Sequence, residues 1–261
     1  MKILDTKNIK EKIISKLSEI HTDKKVILLT YKPSAEEISY KNFIIRRCKE
    51  FNIEYIDKKF DEHTSSYEII DYVNSFKKED GFIILLPFGN HDDISKLREE
   101  IKIKDLDGFT YESMGKSLNG EYNYLPATPK AIARFLLENY DLKSKNILIA
   151  NNTNLIGLPL ATLLSRKRAT IAVINQATQN AKDLIRQSDI FISAIGKANY
   201  YDKSYFRDGQ VLVDVGTSYV NGKIVGDINI DDLENLDLEI LTSKNGIGAI
   251  TTLTLLETLI D

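Results

Sequence analysis

Between Asn8 and Ile20 the apolar residues Ile9, Ile13, Leu17 and Ile20 recur every three or four positions, which places them on one helical face. The unbroken apolar run from Val26 to Tyr31 then reads as a strand buried on both faces. The alternation continues with a helix beginning near Ser34, a strand over Ile53 to Ile56, a helix over Ser65 to Phe76, and a strand over Gly81 to Leu86 that stops at Pro87. Strands alternating with helices predict a parallel sheet, hence an α/β fold. From Thr110 to Leu125 the rhythm breaks at Gly115, Gly120 and a cluster of Tyr and Asn, and Pro126 and Pro129 bracket the start of a helix expected at about Lys130. The domain boundary is placed there, between 125 and 126. Beyond it come strands over Asn146 to Ala150, Thr170 to Ile174, Asp189 to Ala194, Val211 to Val215 and Glu239 to Thr242, with helices between the first three, and a last amphipathic helix over Ile250 to Ile260.

Composition narrows the class. A chain of 261 residues, 43% of them hydrophobic, fills one or two cores. Charged residues make up 28%, the formal net charge is −3, and the signs are interleaved, which argues against nucleic acid as a partner. Met1 to Ile20 mixes Lys, Glu and Asp with apolar residues, and no apolar stretch approaches the roughly 20 residues that span a bilayer. No membrane partner is expected, and a cytoplasmic location follows. Cys48 is the sole cysteine, which excludes an internal disulfide, and His21, His63 and His91 have no metal-ligand spacing, so no metal is expected.

The strand ending at Ala150 leads through Asn151-Asn152-Thr153-Asn154-Leu155-Ile156-Gly157-Leu158-Pro159 into a helix. This is where a Rossmann-type domain cradles a pyrophosphate, because a helix start offers free N–H groups and the positive end of a dipole. The usual glycine triplet is missing. Asn151 stands where the first glycine would be, and Asn tolerates left-handed backbone better than most residues. Ser193-Ala194-Ile195-Gly196 and Asp214-Val215-Gly216-Thr217 also put small residues just past strand ends, where open α/β sheets hold ligands.

Together these segments resemble the methylenetetrahydrofolate dehydrogenase/cyclohydrolase family, whose members interconvert methylene-, methenyl- and formyl-tetrahydrofolate. Pro33 through Ile53 resembles the family's Tyr-bearing helix, Lys104-Asp105-Leu106-Asp107-Gly108-Phe109 its Lys-Asp-Val-Asp-Gly block, and Pro126-Ala127-Thr128-Pro129 its Pro-Cys-Thr-Pro hinge. Asn151 to Pro159 sits on its Gly-Arg-Ser-x-x-Val-Gly-x-Pro loop, Asp214-Val215-Gly216 and Gly226-Asp227 on its Asp-Val-Gly and Gly-Asp-Val positions, and Gly246-Ile247-Gly248 on the core of its Pro-Gly-Gly-Val-Gly-Pro turn. The resemblance implies a folate-binding catalytic domain over 1–125 plus 249–261, the last helix returning to it, and a Rossmann-type NAD(P)-binding domain over 126–248. It also implies a homodimer.

By the same resemblance Tyr40 and Asp107 are the catalytic candidates, with Tyr40, Leu85, Asp107 and Gly246 binding a tetrahydrofolate derivative. The cofactor-binding candidates are Asn151, Asn152, Thr153, Gly157, Asn175, Gln176, Gly196, Gly216 and Thr217. The family's Lys four residues after the Tyr is Ile44 here, and its Gln before the Pro is Leu85, so the cyclohydrolase step loses its polar groups. Lys41 lies at the wrong helical angle to replace the lysine. Hydride transfer from the methylene carbon leaves a delocalised cation and requires alignment rather than an acid or base. Tyr40 would stack on the folate ring system, and Asp107 would accept hydrogen bonds from the pterin and favour the cation. For the cofactor, Asn152 and Thr153, then Asn175, Gln176 and Ala177, offer little positive charge to a 2′-phosphate, which leans the choice towards NAD over NADP; Arg166 or Arg168 approaching from nearby would reverse it. Ser243, Lys244 and Asn245 replace a Pro-rich segment, and Lys244 is either a relocated cation or a solvated loop lysine. Competing readings are a non-catalytic paralogue that binds folate or nucleotide, and a Rossmann dehydrogenase for another substrate.

Overall fold

The structure is a computed structural model that describes residues 1–88, 91–220, 222–244 and 246–261, with the backbone alone for 91–93; the side chain of His91 and residue Asn245 lie outside the described residues. In chain order the elements are β1 (Lys2–Leu4), α1 (Lys7–Glu19), β2 (Val26–Tyr31), α2 (Ala35–Glu50), β3 (Tyr55–Phe60), α3 (Ser66–Asn74), β4 (Gly81–Ile84), α4 (His91–Glu100), β5 (Lys104–Asp105), α5 (Tyr111–Leu118), α6 (Ala127–Asn139), β6 (Asn146–Ala150), α7 (Gly157–Arg166), β7 (Thr170–Ile174), α8 (Ala181–Gln187), β8 (Ile190–Ser193), β9 (Val211–Asp214), β10 (Ser218–Val220), β11 (Lys223–Val225), β12 (Glu239–Leu241) and α9 (Gly248–Ile260). Contacts divide the chain into one unit of Met1–Lys10, Leu118–Tyr122 and Thr128–Thr251, and another of Glu11–Ser117, Asn123–Ala127 and Thr252–Asp261.

The second of these units carries a parallel four-stranded sheet in the order β3-β2-β4-β5. On one face Ile27, Leu29, Phe82 and Ile84 pack with Ile69, Ile70 and Val73 of α3, with Leu97 of α4 and with Ile101 just past its end. Strand alternation therefore turns Leu28, Thr30, Ile83 and Leu85 to the opposite face. The helix expected near Ser34 is present, and a capping box fixes its start: the Ser34 side chain accepts from Glu37 N–H while Glu37 accepts from Ser34 N–H.

Two expectations for this unit need correction. The strand expected over Ile53 to Ile56 lies at Tyr55–Phe60, because Ile53 is consumed in closing α2, its N–H bonding Cys48 O while Asn52 turns left-handed at φ 53. The segment from Thr110 expected to be irregular contains α5. Its first turn is secured by Thr110, whose hydroxyl accepts from Ser113 N–H at 3.1 Å, and Gly115 costs it only helix propensity.

The final helix is also corrected: α9 is buried on every side from Ile250 to Leu259 rather than along one stripe. Its threonines tolerate this by bonding backwards, Thr251 to Ile247 O and Thr258 to Thr254 O, each at 2.9 Å. Its terminal segment joins the four-stranded unit, where Lys16 of α1 pairs with Glu257 and Asp261.

The other unit is built on a parallel six-stranded sheet in the order β1-β12-β9-β8-β6-β7. Its strands match those expected from Asn146 onward to within a residue or so at each end. Strand β1 had no counterpart in the periodicity; it pairs Lys2, Ile3 and Leu4 with Glu239, Ile240 and Leu241. Helix α6 begins at Ala127, ahead of the Lys130 start expected, with Pro129 in its first turn, where a missing N–H costs nothing. Among the described residues no helix is long and apolar enough to cross a membrane.

Candidate functional site

In each sheet the strand order reverses once, between β2 and β4 and between β6 and β8. Open α/β sheets hold ligands at the carboxyl ends of the strands flanking such a reversal.

At the first reversal the side chains are those the sequence singled out. Tyr40 is half-buried on α2, and burial followed by the charge of Asp107 holds its phenol well above its usual range, so it stays protonated. Tyr40 therefore lies within the electrostatic reach of Asp107. Asp107 follows β5, ahead of Gly108, which sits at φ 69 where a Cβ would lie 2.6 Å from Pro126 Cγ. One Asp107 oxygen accepts from Ala127 N–H at 2.8 Å, at the start of α6. Burial pushes the carboxyl up to about 7; the Ala127 bond opposes this and the charge of Asp105 adds to it. The anion assumed from sequence is therefore only half formed near neutral pH.

Ile44 and Leu85 are buried, 0% and 4% exposed, so the positions lacking the family's Lys and Gln are apolar wall. Leu85 N–H bonds Leu29 O at 3.0 Å and extends the β4 register by a residue, which sets Leu85 beside Thr30. Lys41 is held by Asp57 of β3 at 2.8 Å, in keeping with its helical angle. Sequence reasoning missed Thr30 and Glu37. Both carry a buried oxygen with no hydrogen-bond partner among the described residues. The only available signal was that Glu37 lies one helical turn before Tyr40.

At the second reversal Asn151 organises the loop after β6. Its Oδ1 accepts from Thr153 N–H at 3.0 Å, Thr153 Oγ1 at 2.8 Å and Gly157 N–H at 3.0 Å, while its Nδ2 donates to Ala194 O at 2.7 Å across to the loop after β8. Two expectations change. Asn151 is not among the left-handed residues, so it replaces the glycine by its side chain and not by its backbone. The start of α7 is also not a row of free N–H groups: Gly157 is taken by Asn151, and Ile156 and Leu158 by Thr153. Gly157 is required because a Cβ there would lie 1.6 Å from Asn151 O.

Beyond that loop, Asp214 and Asp227 are fully buried and bind the turns together. Asp227 accepts from Ser193 Oγ at 2.6 Å, and from Ile195 and Lys197 N–H, both at 2.8 Å. Asp214 accepts from Gly216, Asp227 and Ile228 N–H, and burial pushes it up to about 6 against those bonds. Gly216 is a glycine for this reason: a Cβ would sit 2.1 Å from Asp227 Oδ1. Gly196 differs, with φ 66 and no atom within 4 Å of an added Cβ, so it leaves open space at the end of β8.

Asn152, Thr153, Asn175, Gln176 and Thr217 are exposed around these strand ends, with Asn175 Oδ1 turning back to Ala177 N–H at 2.9 Å. Arg166 bonds Asn119 at 3.1 Å and its stem covers Gly120, which ties its guanidinium to that turn, while Arg168 is exposed in a left-handed turn at φ 65. Gly246 is buried, and a Cβ there would lie 2.0 Å from Thr242 O. Lys244 is exposed, with its carbonyl accepting from Thr242 Oγ1 at 2.9 Å, which fits a solvated loop lysine.

Residues 126–261 match the family model described as tetrahydrofolate dehydrogenase/cyclohydrolase, NAD(P)-binding domain. The chain is 34% identical over 225 residues to the bifunctional protein FolD of Clostridium perfringens (strain 13 / Type A), covering 84% of this chain and 81% of the relative. It is 31% identical to the bifunctional protein FolD of Thermodesulfovibrio yellowstonii, covering 98% of this chain and 94% of the relative. Among solved structures it resembles the bifunctional FolD methylenetetrahydrofolate dehydrogenase/cyclohydrolase of Campylobacter jejuni, with a TM-score of 0.89, 26% identity, and coverage of 100% and 97%.

Proposed function

The chain belongs to the tetrahydrofolate dehydrogenase/cyclohydrolase family, and on that premise we propose that it oxidises 5,10-methylenetetrahydrofolate to the methenyl form with NAD(P) as hydride acceptor. What supports this reading, besides the family, is a buried phenol at Tyr40 on α2 that feels the charge of Asp107, the carboxylate that follows β5. Tyr40, kept as a phenol, offers a flat face to the folate rings. Asp107 keeps an oxygen besides the one committed to Ala127, able to accept from a pterin's ring N–H and amino group. Those donors favour the carboxylate over its neutral form, so binding draws out the charge that stabilises the developing cation.

The residues at the β6/β8 reversal fit a dinucleotide through neutral donors and open backbone. Asn152, Thr153, Asn175 and Gln176 would hold the adenosine ribose and Gly196 would let the chain approach closely, while the amides of α7 are already engaged. Bound there, NAD(P) supplies the hydride acceptor. We assign the folate part to 1–125 with 249–261 and the dinucleotide part to 126–248, and place NAD ahead of NADP because the turn after β7 offers Asn175, Gln176 and Ala177, which carry no positive charge. A homodimer and a cytoplasmic setting are proposed on family grounds.

Ile44 and Leu85 remove the groups that serve hydrolysis in the family, so the oxidation is the primary activity proposed. A non-catalytic paralogue is disfavoured by the survival of Tyr40 and Asp107 together. Mixing the purified chain with methylenetetrahydrofolate and NAD or NADP tests the reading: absorbance of reduced nicotinamide and methenyl product grows if it holds, and absence of growth with both cofactors refutes it.

A further inference from the structure

We infer that Glu37 and Thr30 hold a water at the β2/β4 reversal and that Glu37 serves as its base, giving this chain a hydrolysis step built from groups other than the missing lysine and glutamine. The inference rests on the folate reading above. Among the described residues the buried side-chain polar atoms without a partner are Thr30 Oγ1, Glu37 Oε1 and Arg98 Nε. Arg98 belongs elsewhere, stacked over the Phe109 ring at 5.3 Å. The other two belong to consecutive elements, Thr30 near the carboxyl end of β2 and Glu37 in the first turn of α2, the helix that follows it.

Thr30 is fully buried on β2, on the face turned away from α3 and α4, beside Leu85. Glu37 stands in the first turn of α2. Its Oε2 accepts from Ser34 N–H at 2.8 Å, which fixes the side chain and leaves Oε1 over. Glu37, Tyr40 and Ile44 are spaced by three and four residues and so share a helix face. The buried carboxylate oxygen thus belongs to a side chain one helical turn before the phenol proposed to stack on the folate, on the helix face that also carries the buried Ile44. A buried oxygen left unpaired is unfavourable, the more so if charged, so both atoms call for a hydrogen-bonding partner. Water is the smallest group that donates to Glu37 and pairs with Thr30 at once. Lys41 cannot take that role, being held by Asp57.

The step balances without a further reactant. The water oxygen bonds to the methenyl carbon as the C=N π pair moves onto nitrogen, and the water proton passes to Glu37. The neutral adduct then gives its hydroxyl proton to solvent, the bond from carbon to one ring nitrogen breaks, that nitrogen takes the proton from Glu37, and the formyl C=O forms. One water is consumed and one proton released.

The test follows methenyltetrahydrofolate decay and NAD(P)H formation in the same preparations of wild type, Glu37→Gln, Thr30→Val and Thr30→Ser. Gln retains the capping-box acceptor, so the helix start survives. Loss of a general base lowers hydrolysis about 100-fold in Glu37→Gln, at least about tenfold more than any fall in hydride transfer. Thr30→Val, which removes a positioning hydroxyl, lowers hydrolysis about tenfold, and Thr30→Ser restores it to within about threefold. Wild type that oxidises methylenetetrahydrofolate but hydrolyses the methenyl form no faster than buffer overturns the inference. So does Glu37→Gln with wild-type hydrolysis, or with equal losses in both steps. Wild type that oxidises nothing overturns the folate reading instead.

Discussion

Replacing Asp107 by Asn isolates the cost of holding a carboxyl where burial disfavours its charge. The folded carboxyl is pushed up to about 7 against 3.8 for an unperturbed aspartate, so between those values the folded chain binds more protons than the unfolded one. Stability then falls as pH rises from about 4 to about 7 and is flat beyond, the reverse of a salt-bridged carboxylate. About three units at about 1.4 kcal/mol each set an upper bound near 4 kcal/mol on the effect above neutral pH. Asn does not titrate, and its amide oxygen still accepts from Ala127 N–H, so the substitution removes the pH dependence while retaining the bond. Urea unfolding of wild type and Asp107→Asn, compared at about pH 5 and about pH 8.5, is expected to show the variant gaining about 2–3 kcal/mol relative to wild type between the two. The contribution of Asp214, raised to about 6, is present in both proteins and cancels. A gap that is the same at both pH values refutes the reasoning. The same ionisation predicts that folate binding near pH 6 releases protons, and that affinity climbs with pH to a plateau above about 7, read by calorimetry in buffers of different ionisation enthalpy.

Gly216→Ala drives a Cβ to 2.1 Å from the buried Asp227 carboxylate and is expected to cost more than about 3 kcal/mol, seen as a collapsed melting temperature. Gly196→Ala meets open space and carries only the left-handed penalty of about 1–2 kcal/mol, and equal losses for the two would disprove this account of the turns. Asn151→Ala leaves Thr153 and Gly157 without their acceptor and is expected to lower stability by about 2–4 kcal/mol and to raise the KM for dinucleotide more than it lowers kcat. Initial rates should favour NAD over NADP by roughly tenfold in kcat/KM, and Gln176→Arg should narrow that ratio by giving a 2′-phosphate a fork of donors; preference for NADP in the wild type refutes the assignment.

The α/β alternation was legible because buried parallel strands leave unbroken apolar runs, as at Val26 to Tyr31 and Asn146 to Ala150, and because Ser34 and Pro129 punctuate helices in ways the local backbone dictates. Which residues stand at the motif positions, Tyr40, Asp107, Ile44 and Leu85, was legible as well, since a residue type can be read in one dimension, whereas their roles are proposals. Strand β1 was not: it is short, and its place depends on a partner at Glu239–Leu241, some 237 residues away for Lys2 and Glu239. The burial of α9 on all sides was hidden because Thr reads as polar in a pattern and only a formed helix turn satisfies its hydroxyl. Asn151 was read through its backbone tolerance, whereas the fold uses its side chain, a choice set by where Gly157 and Ala194 arrive in space. Sequence alone decided the α/β alternation and which chemical groups are present. Tertiary structure alone decided that Asp107 is half-neutral and that Thr30 and Glu37 keep unpaired oxygens, because desolvation and hydrogen-bond satisfaction depend on what packs around a group and not on its neighbours in the chain.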